Sequence, residues 1–203
     1  MGVRFEFSSV FRLISIISPL MIVFFLVMVS IFNQDLKGLV YLGGLLIASV
    51  INILFMNIFK TPKLEGESYS CNVIELPWLS EYSGVPLQSS LIISFTFLYI
   101  LLPMIYNEQV NVPIIISLLA LFLMDGFVKL SDRCSTILGV FMGGLIGGIL
   151  GLVWYTVFHS AGKDSLLYFD ELASNNVICS RPTKQTFKCS VYKNGELISS
   201  NVV

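Results

Sequence analysis

Charge is what this chain has least of. Asp, Glu, Lys and Arg make up 12 % of its 203 residues, where soluble domains carry about 25 %. The deficit is concentrated in stretches. No charge falls between Arg12 and Asp35, Lys37 and Lys60, Glu81 and Glu108, Glu108 and Asp125, or Arg133 and Lys163. A soluble helix needs charge on its exposed face, so these gaps exclude a soluble globular fold. An excess of one sign is missing too: 13 acidic against 12 basic residues leave no electrostatic footprint for nucleic acid. His159 is the sole histidine and no Cys-x-x-Cys occurs, so neither a metal framework nor a cofactor is expected. Glu6 stands where an N-myristoylation signal wants Ser or Thr. No small-x-small cleavage site follows the first apolar run before Gln34, so that run is read as a mature helix and not a signal peptide.

What is present is apolar and measures out as helices. A bilayer core about 30 Å thick takes roughly 20 residues of helix. The gaps predict spans over 13–32, 38–59, 87–106, 112–130 and 134–158. The joints 33–37 and 107–111 are short enough to force antiparallel hairpins, and no run alternates as a barrel strand would. The expectation is an all-α polytopic bundle over 1–162, a surface loop over 60–86, and an extramembrane tail over 163–203. Arg4, Arg12, Lys60, Lys63, Lys129 and Arg133 cluster at one end, against Lys37 and Lys163 at the other. The positive-inside rule then puts the N-terminus in the cytosol and the tail across the membrane. By that orientation Cys71 and Cys134 are expected as reduced thiols.

The loop carries Pro62, Pro77 and Pro86 with Leu76, Trp78, Leu79 and Tyr82. It reads first as an interfacial anchor and second as a ligand site. The tail reads as a small antiparallel β meander. Thr186–Tyr192 alternates, and Asn194-Gly195 supplies the positive φ of a tight hairpin turn. Cys179 and Cys189 fall on neighbouring strands and are either a disulfide or two buried thiols. An open edge, with Lys188, Tyr192, Asn194 and Gly195, is where a partner protein is expected to add a strand.

Within the membrane, Gly139, Gly143, Gly147 and Gly151 form one stripe of the fifth span, and Gly144, Gly148 and Gly151 a neighbouring one. Small-xxx-small stripes let helix backbones approach closely. Packing against another helix, in this chain or a second copy, is the leading reading, and a pore lining the other. Gly43, Gly44 and Ala48 look like the facing surface. Asp125 and Lys129 share a helical face and can pair, shallow enough to reach water. Asn52 and Asn57 look like interhelical hydrogen-bond partners.

From Lys60 to Gly151 the layout resembles the type-2 phosphatidic acid phosphatase superfamily. Its three motifs are Lys-x6-Arg-Pro, Pro-Ser-Gly-His and Ser-Arg-x5-His-x3-Asp, the last running into a glycine-rich helix. Lys60, Pro86 and Arg133 match, as do Gly147 and Gly151. Glu67-Ser68 replace Arg-Pro, Ser89 stands where the first histidine is due, and Gly139 and Gly143 stand for the second histidine and its aspartate. The family's first helix has no counterpart. The resemblance implies a degenerate member that is not an enzyme, in which Lys60 and Arg133 either hold a lipid phosphate or anchor helix ends. The tail is similar to internal-membrane proteins of large icosahedral DNA viruses. That likeness implies a virion membrane, derived from host endoplasmic reticulum, tied to capsid proteins. The function expected is a non-catalytic membrane scaffold that joins a lipid bilayer to a protein through its tail. A homo-oligomer fits the same reading. The alternatives are a lipid-phosphate phosphatase and a small transporter or channel.

Overall fold

The computed structural model describes residues 7–62, 66, 71, 85–168, 188–193 and 196–202. Five helices are long and apolar enough to cross a membrane: α1 (Phe7–Asn33), α2 (Lys37–Phe59), α3 (Gln88–Tyr106), α4 (Val112–Ser131) and α5 (Ile137–Ser160). Their outer faces carry large exposed apolar side chains such as Phe32, Ile58, Phe127 and Ile137. In water that surface would aggregate; in hydrocarbon it is solvated. This is an integral, multi-pass membrane protein.

The helices stop where the backbone turns left-handed. Gln34, Lys60, Glu108, Arg133 and Gly162 follow the five helices in order, all with φ between 43° and 65°. After α1, α3, α4 and α5 the next N–H reaches back five residues: Asp35 to Ser30, Gln109 to Met104, Cys134 to Lys129 and Lys163 to Phe158. This 6→1 bond satisfies carbonyls that a helix end would otherwise leave bare in an apolar medium. At the α1–α2 joint, Gly38 N–H donates to Ser30 Oγ at 2.8 Å. A Cβ on Gly38 would meet Ser30 Cβ at 2.6 Å, so this tight joint requires glycine.

α3 is the central helix. It touches the other four, and its apolar window is 50 % buried against 28–33 % for theirs. Its closest neighbour is α5. A Cβ on Gly143, Gly147 or Gly151 would come closer than 3.0 Å to the backbone of Leu87, Leu91 or Phe95 respectively. Both sets repeat every four residues, so one stripe of α5 lies directly on the α3 main chain. Leu87 N–H also donates to the Gly139 carbonyl at 3.0 Å, tying the stripe's first glycine to the start of α3. Lipid tails are as apolar as leucine, so contact of this kind, and not burial from water, holds helices together here.

The facing surface is therefore α3, in place of the Gly43, Gly44 and Ala48 face of α2. α2 meets α5 differently: Trp154 seats on Gly44, where a Cβ would lie 2.5 Å from the indole nitrogen. That nitrogen donates to the Val40 carbonyl at 3.1 Å. The second stripe is less crowded, with Gly144 against Phe122 and Gly148 against Leu98 and Ser94.

The first residues assigned to the tail belong to the bundle instead. Gly162 turns the chain back, a 3-10 turn spans Asp164–Leu166, and Leu167 and Tyr168 are buried. Tyr168 O–H donates to the Leu26 carbonyl, and its ring meets Tyr41 edge-on at 6.4 Å. Tyr41 in turn packs on Tyr99 at 5.5 Å and shares a 2.7 Å hydrogen bond with Thr96 Oγ1.

Beyond the bundle, the backbones of β1 (Lys188–Lys193) and β2 (Glu196–Val202) pair antiparallel, with Lys188 opposite Val202 and Lys193 opposite Glu196. The expected first strand with Cys179, the turn residues Asn194 and Gly195, and the aromatic part of the 60–86 loop lie outside the described residues.

Cys71 and Cys134 are not separate thiols. They form a disulfide with Cα atoms 5.1 Å apart, across 63 residues of sequence. The left-handed turn at Arg133 places Cys134 at the foot of α5, where Cys71 of the 60–86 segment meets it. The expectation of reduced thiols came from an inferred compartment, which carries no information about proximity.

Candidate functional site

A cluster of polar side chains sits at the end of the bundle where α1, α3 and α5 begin and α2 and α4 finish. Asp125 sits at the centre, fully buried. One carboxylate oxygen accepts from Ser15 of α1 at 2.6 Å. The other accepts from Ser89 of α3, also at 2.6 Å. Lys129, one turn further along α4, is likewise buried and acts on Asp125 through its charge. The expected shallow Asp125–Lys129 pair reaching water is thus corrected. The carboxylate is enclosed, and its hydrogen bonds go to two other helices.

Closer to the helix ends, Arg12 of α1 bonds Asp132 at 2.6 Å, with the aspartate buried and the guanidinium half exposed. On the other side of α3, Asn52 of α2 donates to Gln88 Oε1 at 2.7 Å and to the Pro86 carbonyl at 3.2 Å. Gln88 donates onward to Ser49 at 2.8 Å. Asn52 is the interhelical partner its position suggested. Asn57 is exposed on the outer face and is not.

The three positions standing for the phosphatase site are all occupied by packing. Ser89 donates to Asp125, Gly139 accepts from Leu87 N–H, and Gly143 lies against the Leu87 backbone. His159 is at the opposite end of α5, 20 residues from Gly139 and so about 30 Å away along the helix. Its Nδ1 lies 2.7 Å from Asp164 Oδ1 and its ring stacks on Tyr155 at 5.5 Å. No nucleophile–base pair involving an imidazole forms at the polar end. Among the described residues no group of His, Cys, Asp or Glu has the arrangement to hold a metal ion.

Lys60 and Arg133 are both exposed at that end. Each closes its helix in left-handed backbone, at φ 43° and 57°. A cation there complements the negative end of the helix dipole and reaches the headgroup layer.

The cluster's long-range partners were not legible beforehand. Nothing in sequence marks Ser15 as the residue that bonds Asp125, or Arg12 as the partner of Asp132. The nearest signal is that Arg12 and Ser15 lie three apart, on the same face of α1, while Asp125 of α4 and Asp132, which follows its last residue, lie seven apart. Comparison with protein-family models, with curated proteins and with solved structures finds no match to this chain.

Proposed function

We propose that the chain is a non-catalytic membrane scaffold, whose bundle is fixed in lipid and whose tail binds another protein. One observation carries this reading. The acid buried in the membrane, Asp125, has both oxygens bonded to serines of neighbouring helices, so a group that can do chemistry acts as a joint between α1, α3 and α4. A phosphatase would need a histidine at this end, and Ser89, Gly139 and Gly143 stand there instead. The sequence shows neither the broken helices nor the inverted repeats that mark many transporters.

The tail supplies the specificity. Lys188–Lys193 pairs with Glu196–Val202 as a two-stranded ribbon, and an edge of this tail is proposed to receive a partner strand. Lys188, Tyr192, Asn194 and Gly195 are the residues proposed to meet that partner. A virion internal membrane under a capsid shell is the setting proposed, and a second copy of the chain is a further partner.

Deleting residues 177–203 tests the proposal, because the cut leaves Tyr168 and the bundle intact. The truncated protein is expected to insert and unfold at the full-length temperature but to lose the partner that co-purifies with the full chain. A truncated protein that still co-purifies with it overturns the tethering role.

A further inference from the structure

α1 is fastened at its two ends and open between them. At one end Ser15 bonds Asp125 and Arg12 bonds Asp132. At the other, the Leu26 carbonyl accepts from Tyr168 and Ser30 lies 2.6 Å from Asp35 Oδ1. Between Ser15 and Leu26, α1 stands off from α4 and leaves a cleft of about 660 Å³. Ile17, Met21 and Phe25 form one wall, Ile114 and Leu121 the other, and Ile100 of α3 lines it as well. Pro19 lies in this stretch of α1. A proline inside a helix gives the carbonyl four residues earlier no partner, and Ser18 Oγ–H donates to that Ser15 carbonyl at 3.4 Å.

The chemistry of the cleft limits what fills it. Its hydroxyls belong to Ser18 and Ser117, and both are turned onto backbone, Ser117 to the Pro113 carbonyl at 2.7 Å. An apolar space without two or more free polar partners does not hold water. Its volume of about 660 Å³ is that of a site for a single slender ligand. Sites for single ligands run from about 300 to 1,000 Å³. The cleft lies within the membrane-spanning part of the bundle and carries no charge. The occupant is therefore slender, neutral and drawn from the bilayer.

We propose that the cleft between α1 and α4 is a binding site for one acyl chain of a membrane lipid. The chain lies along the helix axes, entering sideways from the bilayer because hydrogen bonds close α1 at both ends. It supplies the contacts that α1 and α4 do not make with each other. α1 is thereby held to the bundle through lipid at its middle and through protein at its ends.

The test uses full-length protein in phosphatidylcholine vesicles containing a lipid with a photoactivatable diazirine midway along one acyl chain. After illumination, adducts are mapped by mass spectrometry. Adducts are expected to concentrate on residues 13–26 and 113–121, above the level on exposed positions elsewhere, such as Leu46 of α2 and Leu145 of α5. Ser117→Trp fills the cleft and is expected to bring labelling of both stretches down to that level. Leu123→Trp, on an exposed position that does not line the cleft, leaves it unchanged. Even labelling of every exposed helix face in the unsubstituted protein overturns the proposal whether or not Ser117→Trp folds. So does crosslinking of α1 or α4 to a second copy in place of lipid, or undiminished labelling of a folded Ser117→Trp protein.

Discussion

Ser15 and Asp125 are joined by a 2.6 Å hydrogen bond across 110 residues of sequence, in the buried interior of the bundle. Asp125 takes a second bond from Ser89 and faces the charge of buried Lys129. The hydroxyl bonds and the charge contribute differently. An interhelical hydrogen bond in a membrane protein is worth about 0.6 kcal/mol on average. Lys129 acts on the carboxylate through space, without an ion-pair contact, and removing Asp125 takes away both hydroxyl bonds together with that charge interaction.

Ser15→Ala and Ser89→Ala are therefore expected to lower stability by about 0.6 kcal/mol each. Asp125→Ala should cost more than both together, through the stranded Lys129. Asp125→Leu combined with Lys129→Met should recover most of that loss. Unfolding in micelles, by heat or denaturant, measures all four. A double substitution as unstable as Asp125→Ala would show that Lys129 is not the source of the cost.

The glycines of α5 should divide by what they touch. Gly147→Ala drives a methyl into the backbone of Leu91, which cannot move without shifting α3. A cost near 3 kcal/mol, the upper range for overpacking, is expected. Gly148→Ala meets the ends of the Leu98 and Ser94 side chains at 3.1 and 3.2 Å. These can give way, so the cost should stay under about 1 kcal/mol. Equal effects, read from thermal unfolding, would mean the α3–α5 contact is looser than described.

The spans were legible because missing charge is a one-dimensional signal. The gap from Arg133 to Lys163 marks α5 without reference to anything it packs on. The Gly143–Gly147–Gly151 stripe was legible for the same reason, as a period of four. Its partner was not. Small residues at Gly43, Gly44 and Ala48 advertise a close approach, but α3 receives the stripe on its main chain, between side chains as large as Leu91 and Phe95. Tyr168 was hidden behind Gly162, which reads as the start of a tail and instead turns the chain back into the bundle. Serine, common in membrane helices, carries no mark of which acid it will bond.

Lys60 closes α2 at φ 43°, and its N–H donates to the Met56 carbonyl at 3.0 Å. A non-glycine residue in that conformation costs about 1 kcal/mol, while glycine adopts it freely. Lys60→Gly should therefore leave the bundle as stable or raise its stability by up to about 1 kcal/mol. If Lys60 also held a lipid phosphate, the same substitution would weaken retention of the protein on phosphatidic acid vesicles relative to neutral ones. Unchanged retention is the expected result for a capping residue.

The chain has four cysteines, and the bonded pair makes a testable prediction about its orientation. Cys71 and Cys134 meet at the end where α5 begins; Cys179 and Cys189 follow α5, at the other end. Disulfides persist on the oxidising side of a membrane and thiols on the reducing side. One span, α5, separates Cys134 from Cys179 and Cys189, so the two pairs face opposite sides and a single bilayer cannot keep both bonded. The Cys71–Cys134 bond therefore predicts that its end, with the N-terminus, faces away from the cytosol, opposite to what the count of basic residues predicts. Cys179 and Cys189 are expected to remain thiols. Alkylation of unreduced protein in intact membranes should add two groups per chain, both after residue 168, and reduction beforehand should raise that to four. Cys134→Ser should free Cys71 for labelling and lower stability by about 4 kcal/mol, from the 63-residue loop the bond closes. Labelling of Cys71 and Cys134 without reduction, with Cys179 and Cys189 protected, would restore the opposite orientation.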